Sequence, residues 1–430
     1  MYKYRVLVFP GGTEIGLEIN RSLRNCKDVQ LFSASSGVPN HAEMVFINHS
    51  VIPSVEDKDE CLTELDTLIE LNSITHIIPA NPFVIDFLNK YRERIKTKIC
   101  LVDEKVIDIC RSKTLTYSRF KDLLACPITY SNMEESDLPL FVKPDSGYGA
   151  QGTFKVKSQA ELSNVKFGSK IVASEFLQGE EYSIDCLSDY NGNLQYSFAR
   201  VRERVRMGTS MRSYAASEKV QKIALEFAEI ISKELKMVGS WFFQFKDNGH
   251  GVLKLLEIEP RIGGTSALSR AKGINAAYLT LRAFDGQPNQ TLINENTVII
   301  ERCLKNRYIT DLTYDTVYVD LDDTIVIKDK INTELIAFLF QCYNNKIKVI
   351  LISKSLAEDK IGFLQKYRIL ELFDELIWLK EEQFKSNFIK HENAIFIDDS
   401  FSQRVEVSNK CGIQTFDPSM VELLLDDKGF

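Results

Sequence analysis

Residues 256–264 read LEIEPRIGG, an apolar strand that ends in two acids spaced by two. A strand has a period of two, so Glu257 and Glu259 point to one face, where their oxygens suit a shared hard cation. Arg261, just beyond, is placed to bridge phosphoryl oxygens. A solvated structural acid pair would read the same way. Upstream, residues 141–152 read FVKPDSGYGAQG, where Lys143 closes a strand and Gly147, Gly149 and Gly152 follow. Such a segment suits a lid over polyphosphate: the lysine is a point charge, and glycines let backbone N–H groups approach phosphate oxygens. Residues 174–185, SEFLQGEEYSID, lie between the two. The backbone at Phe176 and Leu177 could bond an adenine edge, and Glu181, six residues after Glu175, could accept ribose hydroxyls. A β-hairpin with exposed acids fits that segment equally well.

A second constellation lies at 315–324, DTVYVDLDDT. The D-x-D-x-T spacing gives one carboxylate, Asp320, to attack phosphorus, and another, Asp322, to protonate the leaving group. Downstream, VILISKS ends a strand at Ser353, a hydroxyl suited to a phosphate oxygen, and AIFIDDS ends one at Asp398 and Asp399. Lys385 precedes that last strand; Lys360 and Lys380 compete with it from similar local settings. About 30 residues separate Asp322 from Ser353 and about 32 separate Ser353 from Lys385, too few for a cap domain. An uncapped site implies a bulky or tethered substrate.

The elements that must hold these groups change texture twice. Strand 4–9, the turn Pro10-Gly11-Gly12, a helix over 14–25, strand 76–80, a helix over 83–94 and strand 98–103 alternate, which predicts a parallel sheet with helices on both faces over residues 1–100. Residues 101–310 carry a helix near 111–124, short strands separated by glycine or asparagine turns, and a long amphipathic helix at 217–236, an α+β pattern. Residues 311–430 return to strand–helix alternation, a compact α/β sandwich. Arg200, Arg202, Arg204 and Arg206 alternate, so on a regular strand they share a face, with Arg212 nearby; they would either pair with the acids of the metal strand or hold a substrate carboxylate or phosphate.

The ordered series KPxxGxGxxG, EFLxGxEYSID and QF…LEIxPRxGG resembles the ATP-grasp superfamily, nearest to its carbamoyl-phosphate-synthase-like carboxylate–amine ligases, over about residues 1–300. The resemblance implies a Rossmann-like pre-ATP-grasp unit (1–100) and an ATP-grasp domain (101–310) using ATP and Mg²⁺, with Mn²⁺ as an alternative ion. It implies that Lys113 and Lys143 contact phosphate, that Glu175, Phe176 and Leu177 form the adenine hinge, and that Glu181 holds ribose. Gln244, Glu257 and Glu259 would ligate metal, although the family's usual second residue is asparagine where this chain has Glu259. The implied reaction is attack of a substrate carboxylate on the γ-phosphate of ATP, giving an acyl phosphate from which an amine displaces phosphate. Residues 311–430 resemble a capless HAD-superfamily phosphatase. There Asp320 would be nucleophile, Asp322 acid/base, and Ser353 and Lys385 phosphoryl holders. Asp320, Asp322, Asp398 and Asp399 would supply the Mg²⁺ site, and the substrate would be a phosphomonoester.

Bulk composition limits the alternatives. Hydrophobic residues make up 44% and charged residues 26%, an ordinary globular balance. A net charge of −7 argues against nonspecific nucleic-acid or anionic-membrane binding. The nine cysteines have no metal-finger spacing and read as buried reduced thiols. With no leader-like start and no apolar stretch near the roughly 20 residues that span a bilayer, a cytoplasmic enzyme is expected, and a homo-oligomer is compatible. The competing expectation is a nucleotide-binding regulatory or scaffold protein with a weak or inactive HAD unit.

Overall fold

The computed structural model describes residues 2–130, 138–147, 152–163, 171–206, 208–354 and 358–428. The chain divides into two units, Met1–Lys305 and Asn306–Phe430.

Unit 1 opens with β1 (Tyr4–Phe9), α1 (Glu14–Leu23), β2 (Val29–Ser35), β3 (Asn48–Val51), α2 (Lys58–Leu71), β4 (His76–Pro79), α3 (Pro82–Lys90) and β5 (Lys98–Ile99). The strands pair in parallel in the order β3-β2-β1-β4-β5. Val6, Leu7, Val8 and Phe9 are all buried, because a central parallel strand has helices on both faces. Thr13 caps α1 by accepting from the Gly16 amide at 3.0 Å. Strand order reverses between β1 and β4, and a doubly wound sheet has its crevice at that reversal, outside the carboxyl ends of the strands. Gly12 follows β1 there, and Asn81 follows β4. A Cβ on Gly12 would lie 2.0 Å from Asn40 Oδ1, so close packing of this turn requires glycine.

Next come α4 (Glu104–Arg111), α5 (Lys113–Phe120), β6 (Thr129–Tyr130), β7 (Leu140–Pro144), β8 (Phe154–Val156), α6 (Gln159–Leu162) and β9 (Ile171–Glu175), whose strands form an antiparallel sheet ordered β6-β9-β7-β8. A larger antiparallel sheet, β14-β13-β10-β11-β12-β15, is built from β10 (Glu181–Ser188), β11 (Leu194–Arg206), β12 (Thr209–Ala215), β13 (Gly239–Asp247), β14 (Leu253–Glu259) and β15 (Ile299–Glu301). The helix α7 (Glu218–Leu235) covers it: Phe227 stacks on Phe243 and meets Phe245 edge-on. The short α8 (Ala267–Ala271) and α9 (Ala276–Phe284) return to the first sheet. Arg270 bonds Glu18 at 2.7 Å, Asn275 bonds the Ser22 carbonyl at 2.7 Å and Tyr278 bonds Asp28 at 2.8 Å.

The arginine stripe departs from the regular strand expected for it. Register shifts at Arg202/Arg204 and Arg204/Val205 interrupt the alternation of β11, so the arginines do not share one face. Nor do they pair with the acids of β14: Arg200 pairs with Asp185, Arg202 with Glu181, Arg204 with Glu301, and Arg212 with Glu203 and Glu301.

Unit 2 contains β16 (Thr316–Val319), a hairpin of β17 (Val326–Ile327) and β18 (Lys330–Ile331), α10 (Thr333–Asn344), β19 (Lys348–Ser353), α11 (Lys360–Lys366), β20 (Glu375–Trp378), β21 (Ala394–Ile397), α12 (Phe401–Cys411) and β22 (Gln414–Phe416). Its sheet is parallel, ordered β20-β19-β16-β21-β22, with the reversal between β16 and β21. Among the described residues no cysteine is bridged; five are buried and Cys303 is exposed. No helix of the described residues is long and apolar enough to cross a membrane.

Candidate active site

Lys143 is the penultimate residue of β7, an inner strand of the smaller sheet of unit 1, and its side chain is buried. Its Nζ donates to Tyr117 Oη at 2.6 Å, and that hydroxyl donates to the Leu256 carbonyl at 2.9 Å. Burial, then the neighbouring Lys113, pulls the Lys143 ammonium down to about 8, against the attraction of Glu257, Glu181 and Asp145. Lys113 is the first residue of α5, set there by the Ser112 cap, and its Nζ reaches the carbonyls of Asp145 and Gly147 at 3.3 and 3.5 Å. Asp145 fastens the two elements: it accepts from Ser112 Oγ at 2.7 Å and from the Thr114 amide and hydroxyl at 2.8 and 2.7 Å. Burial opposes ionisation of Asp145, but these bonds and Lys113 hold its carboxyl below the usual range. Tyr117 and Asp145 were not singled out from sequence. The signal was there, since Tyr117 is one turn after Lys113 and Asp145 is two residues after Lys143.

Lys113, Lys143, Gly147, Glu181, Gln244 and Glu257 line one cavity of about 280 Å³. Gly152 has a left-handed φ of +68° on the same segment, and Gly149 lies outside the described residues. Glu175, Phe176 and Leu177 lie outside the lining of this cavity. The Glu175 carboxylate is taken up by the Ile128 amide at 2.7 Å and by Lys254, which ties β9 to β14. Phe176 instead carries the Lys155 ammonium, 3.4 Å from its ring centre. Glu181 is held by Arg202 at 3.0 Å and Lys246 at 3.8 Å.

A second cavity of about 760 Å³ opens on the crevice of the first sheet, where Gly12, Thr13 and Asn81 face Arg200, Glu259 and Arg261. The two cavities meet at a common rim of Arg202, Gly208, Gln244 and Glu257. Gln244 and Glu257 are directly opposite one another on β13 and β14. Glu259 is buried, which pushes its carboxyl up, and Arg261 opposes that with an Nε bond at 3.0 Å. Two carboxylates and one amide oxygen on a strand pair are hard donors that fit a magnesium ion, with further oxygens coming from a bound phosphate. The Arg261 guanidinium sits 5.0 Å from the centre of the Phe242 ring.

In unit 2 the strand-end acids converge. Asp320 follows β16 and Asp398 follows β21, so both stand at the reversal of the sheet. The buried Lys385 ammonium bonds Asp320 Oδ1 at 2.5 Å and Asp398 Oδ2 at 2.6 Å. Burial pushes both carboxyls up, and Lys385 between them pulls them back. Among the described residues, Asp320, Asp398 and Asp399 are the one group of three acids whose oxygens come within 4.8 Å of one another. Asp322, expected among the metal ligands, is exposed and lies outside that group. Ser353 is buried at the end of β19, the strand beside β16. Lys360 lies over the Trp378 ring, 5.1 Å from its centre, and Lys380 is exposed. Thr324 braces Asp399, accepting from its amide at 3.0 Å. Arg404 bonds the carbonyls of Asp398 and Asp399 at 2.6 and 2.7 Å. Neither segment between these residues adds a domain: β17, β18 and α10 occupy the first, and α11 and β20 the described part of the second.

Residues 168–306 match the family model described as "ATP-grasp in the biosynthetic pathway with Ter operon". D-alanine–D-alanine ligase B of Clostridium perfringens is 24% identical over 127 residues, 25% of this chain and 41% of that protein. This chain therefore spans less than half the length of that relative. Among solved structures, N5-carboxyaminoimidazole synthetase of Staphylococcus aureus complexed with ADP superposes with a TM-score of 0.57 at 15% identity, covering 70% of this chain and 83% of that one. The biotin carboxylase domain of Hydrogenobacter thermophilus 2-oxoglutarate carboxylase, solved with MgADP, ADP and bicarbonate, gives 0.56 at 16%, covering 68% and 71%. L-amino acid ligase of Bacillus licheniformis gives 0.51 at 18%, covering 66% and 75%. These likenesses show the fold alone, and the family match is confined to residues 168–306, which lie almost wholly within Met1–Lys305.

Proposed function

We propose that unit 1 is an ATP- and Mg²⁺-dependent ligase that joins a carboxylate to an amine through an acyl phosphate. The observation that carries this is the shared rim: Gln244 and Glu257 border both the cavity with Lys113 and Lys143 and the cavity at the crevice of the first sheet. A nucleotide in the first cavity and a carboxylate in the second would meet where the acids stand. Lys143 and Lys113 would hold phosphate oxygens, and Arg261 would take charge that develops on the transferred group. Gln244, Glu257 and Glu259 would hold Mg²⁺, which when bound offsets charge on the phosphoryl oxygens. Residues 1–100 would serve as the pre-ATP-grasp unit and Phe176–Leu177 as the adenine hinge. The carboxylate oxygen attacks the γ-phosphorus, ADP departs, and the amine then displaces orthophosphate. The test is ADP release from MgATP over a panel of paired amino acids and sugar acids. Release should need both partners and should vanish in Glu257→Ala; undiminished release in that variant would remove the assignment.

For unit 2 we propose a capless HAD-type phosphomonoesterase acting on a related substrate or product. The lysine-braced acids at the reversal of its sheet support this. Asp320 would attack phosphorus and form an aspartyl phosphate while Asp322 protonates the leaving oxygen; water then releases orthophosphate. Lys385 holds the nucleophile in place, Ser353 would hold a phosphoryl oxygen, and Asp398 and Asp399 with Asp320 would hold Mg²⁺.

A further inference from the structure

Arg200 is the most deeply buried charged group on the wall of the larger cavity, 3% exposed. Its position is fixed from behind. Nε and Nη2 bond the two oxygens of Asp185 at 3.2 and 3.3 Å, and Ser269 Oγ donates to the same carboxylate at 3.0 Å. The third nitrogen, Nη1, is buried with no hydrogen-bond partner among the described residues. The other arginines on this wall differ: Arg202 also has a buried Nε outside any hydrogen bond, but that nitrogen is ion-paired with Glu181 at 3.0 Å. Arg202 bonds Ser183 at 3.4 Å and the Gly208 carbonyl at 2.7 Å, and Arg261 bonds Glu259 and the Ile262 carbonyl at 3.0 and 3.3 Å.

A buried guanidinium N–H without an acceptor is costly, and more so for a charged group than a neutral one. Asp185 already neutralises Arg200, so the spare donor is retained at a cost that a bound acceptor would remove. Across the cavity stand Gly12 and Thr13 at the amino end of α1, which favours negative charge. Three carboxylates on this wall work against an anion: Glu257 and Glu259, the acids proposed to hold the metal, and Glu14. The Glu14 carboxylate accepts from Thr209 Oγ1 at 3.2 Å and pairs with Arg302 at 3.4 Å.

We infer that the acceptor cavity of unit 1 takes a substrate bearing a second anionic group, a carboxylate or phosphate, which Arg200 Nη1 binds apart from the group activated at Glu257. The inference rests on the ligase reading for the identity of the activated group. Arg200 itself touches only the distant anion; it selects the substrate and does not take part in phosphoryl transfer.

The experiment titrates the full chain with matched pairs, succinate against butyrate and phosphoserine against serine, with and without Mg²⁺ and a non-hydrolysable ATP analogue. The dianionic member of at least one pair should bind roughly tenfold tighter, the equivalent of about 1.4 kcal/mol. Which pair responds separates carboxylate from phosphate. In Arg200→Lys, which keeps the charge beside Asp185 and loses the spare N–H, that preference should disappear; circular dichroism checks folding. Arg200→Gln with Asp185→Asn, which removes the buried pair together, should lose it too. No preference in any pair, or a preference that both variants retain, overturns the inference. Failure of the ATP analogue to bind while the preference holds would instead overturn the ligase reading and leave the anion site standing.

Discussion

The chain contains two doubly wound parallel sheets, each reversing beside its first strand, and the two reversals carry opposite chemistry. In unit 2 the strand tips at the reversal are carboxylates, Asp320 and Asp398, with a lysine between them. In unit 1 the corresponding tips are Gly12 and Asn81, neutral residues that wall a cavity, and the acids come from the neighbouring antiparallel sheet. Topology fixes where a crevice forms, and the residues at its lip decide whether it reacts or only receives. The proposed metal sites differ in the same way. Unit 2 brings three carboxylates together, whereas β13 and β14 of unit 1 offer two acids and an amide and would need phosphate to complete a coordination shell.

The largest effect should come from removing the proposed nucleophile of unit 2. Asp320→Asn should reduce hydrolysis of an aryl phosphate to background while ADP release by unit 1 continues; unchanged hydrolysis would erase the contrast between the crevices. Asp322→Asn should lower the same rate by roughly 10²–10⁴-fold, the usual worth of a general acid, measured with a poor leaving group. Lys385→Met leaves two buried carboxylates facing one another, so unit 2 should lose about 3–5 kcal/mol in denaturant unfolding, unless added Mg²⁺ restores it. Mg²⁺ affinity should depend on nucleotide at unit 1 and not at unit 2, which calorimetry on Asp320→Asn and Glu257→Ala would separate. Equal Mg²⁺ affinity with and without nucleotide in Asp320→Asn would contradict the account of an incomplete shell in unit 1.

The smallest effect concerns the opposite end of the sheet in unit 1. His76, the first residue of β4, is buried, and burial pulls its ring down to about 4 against the attraction of Asp285. The unfolded chain therefore binds the proton first as pH falls from about 6.5, and stability is full above that pH and is lost as it drops toward 4. Denaturation midpoints should fall more steeply over this window in the wild type than in His76→Asn; parallel slopes would show that His76 does not carry the effect.

The two units also differ in how much the sequence disclosed. Asp320, Asp398 and Ser353 were legible as strand ends because short buried parallel strands read as apolar runs. The sequence favours Lys385 but leaves Lys360 and Lys380 as competitors, since its place depends on packing against Asp320, 65 residues away. In unit 1 the three blocks were visible singly, but the shared rim depends on β13 and β14 pairing Gln244 with Glu257. The arginines misled because a bulge is set by the partner strand: β12 shifts the register at Arg204, so the period-two pattern ends before the exposed arginines begin. The spare nitrogen of Arg200 has no sequence signature.

The central claim is that phosphoryl transfer in unit 1 occurs across the rim at Glu257, from nucleotide to carboxylate. It is tested most directly by supplying Asp320→Asn enzyme with a carboxylate that supports turnover, labelled with ¹⁸O in both oxygens, and analysing the released orthophosphate by mass. An acyl phosphate delivers one carboxylate oxygen to each orthophosphate, so singly labelled phosphate is expected. Unlabelled orthophosphate, with three oxygens from ATP and one from solvent, would mean that water, not the carboxylate, attacks ATP, and would contradict the account.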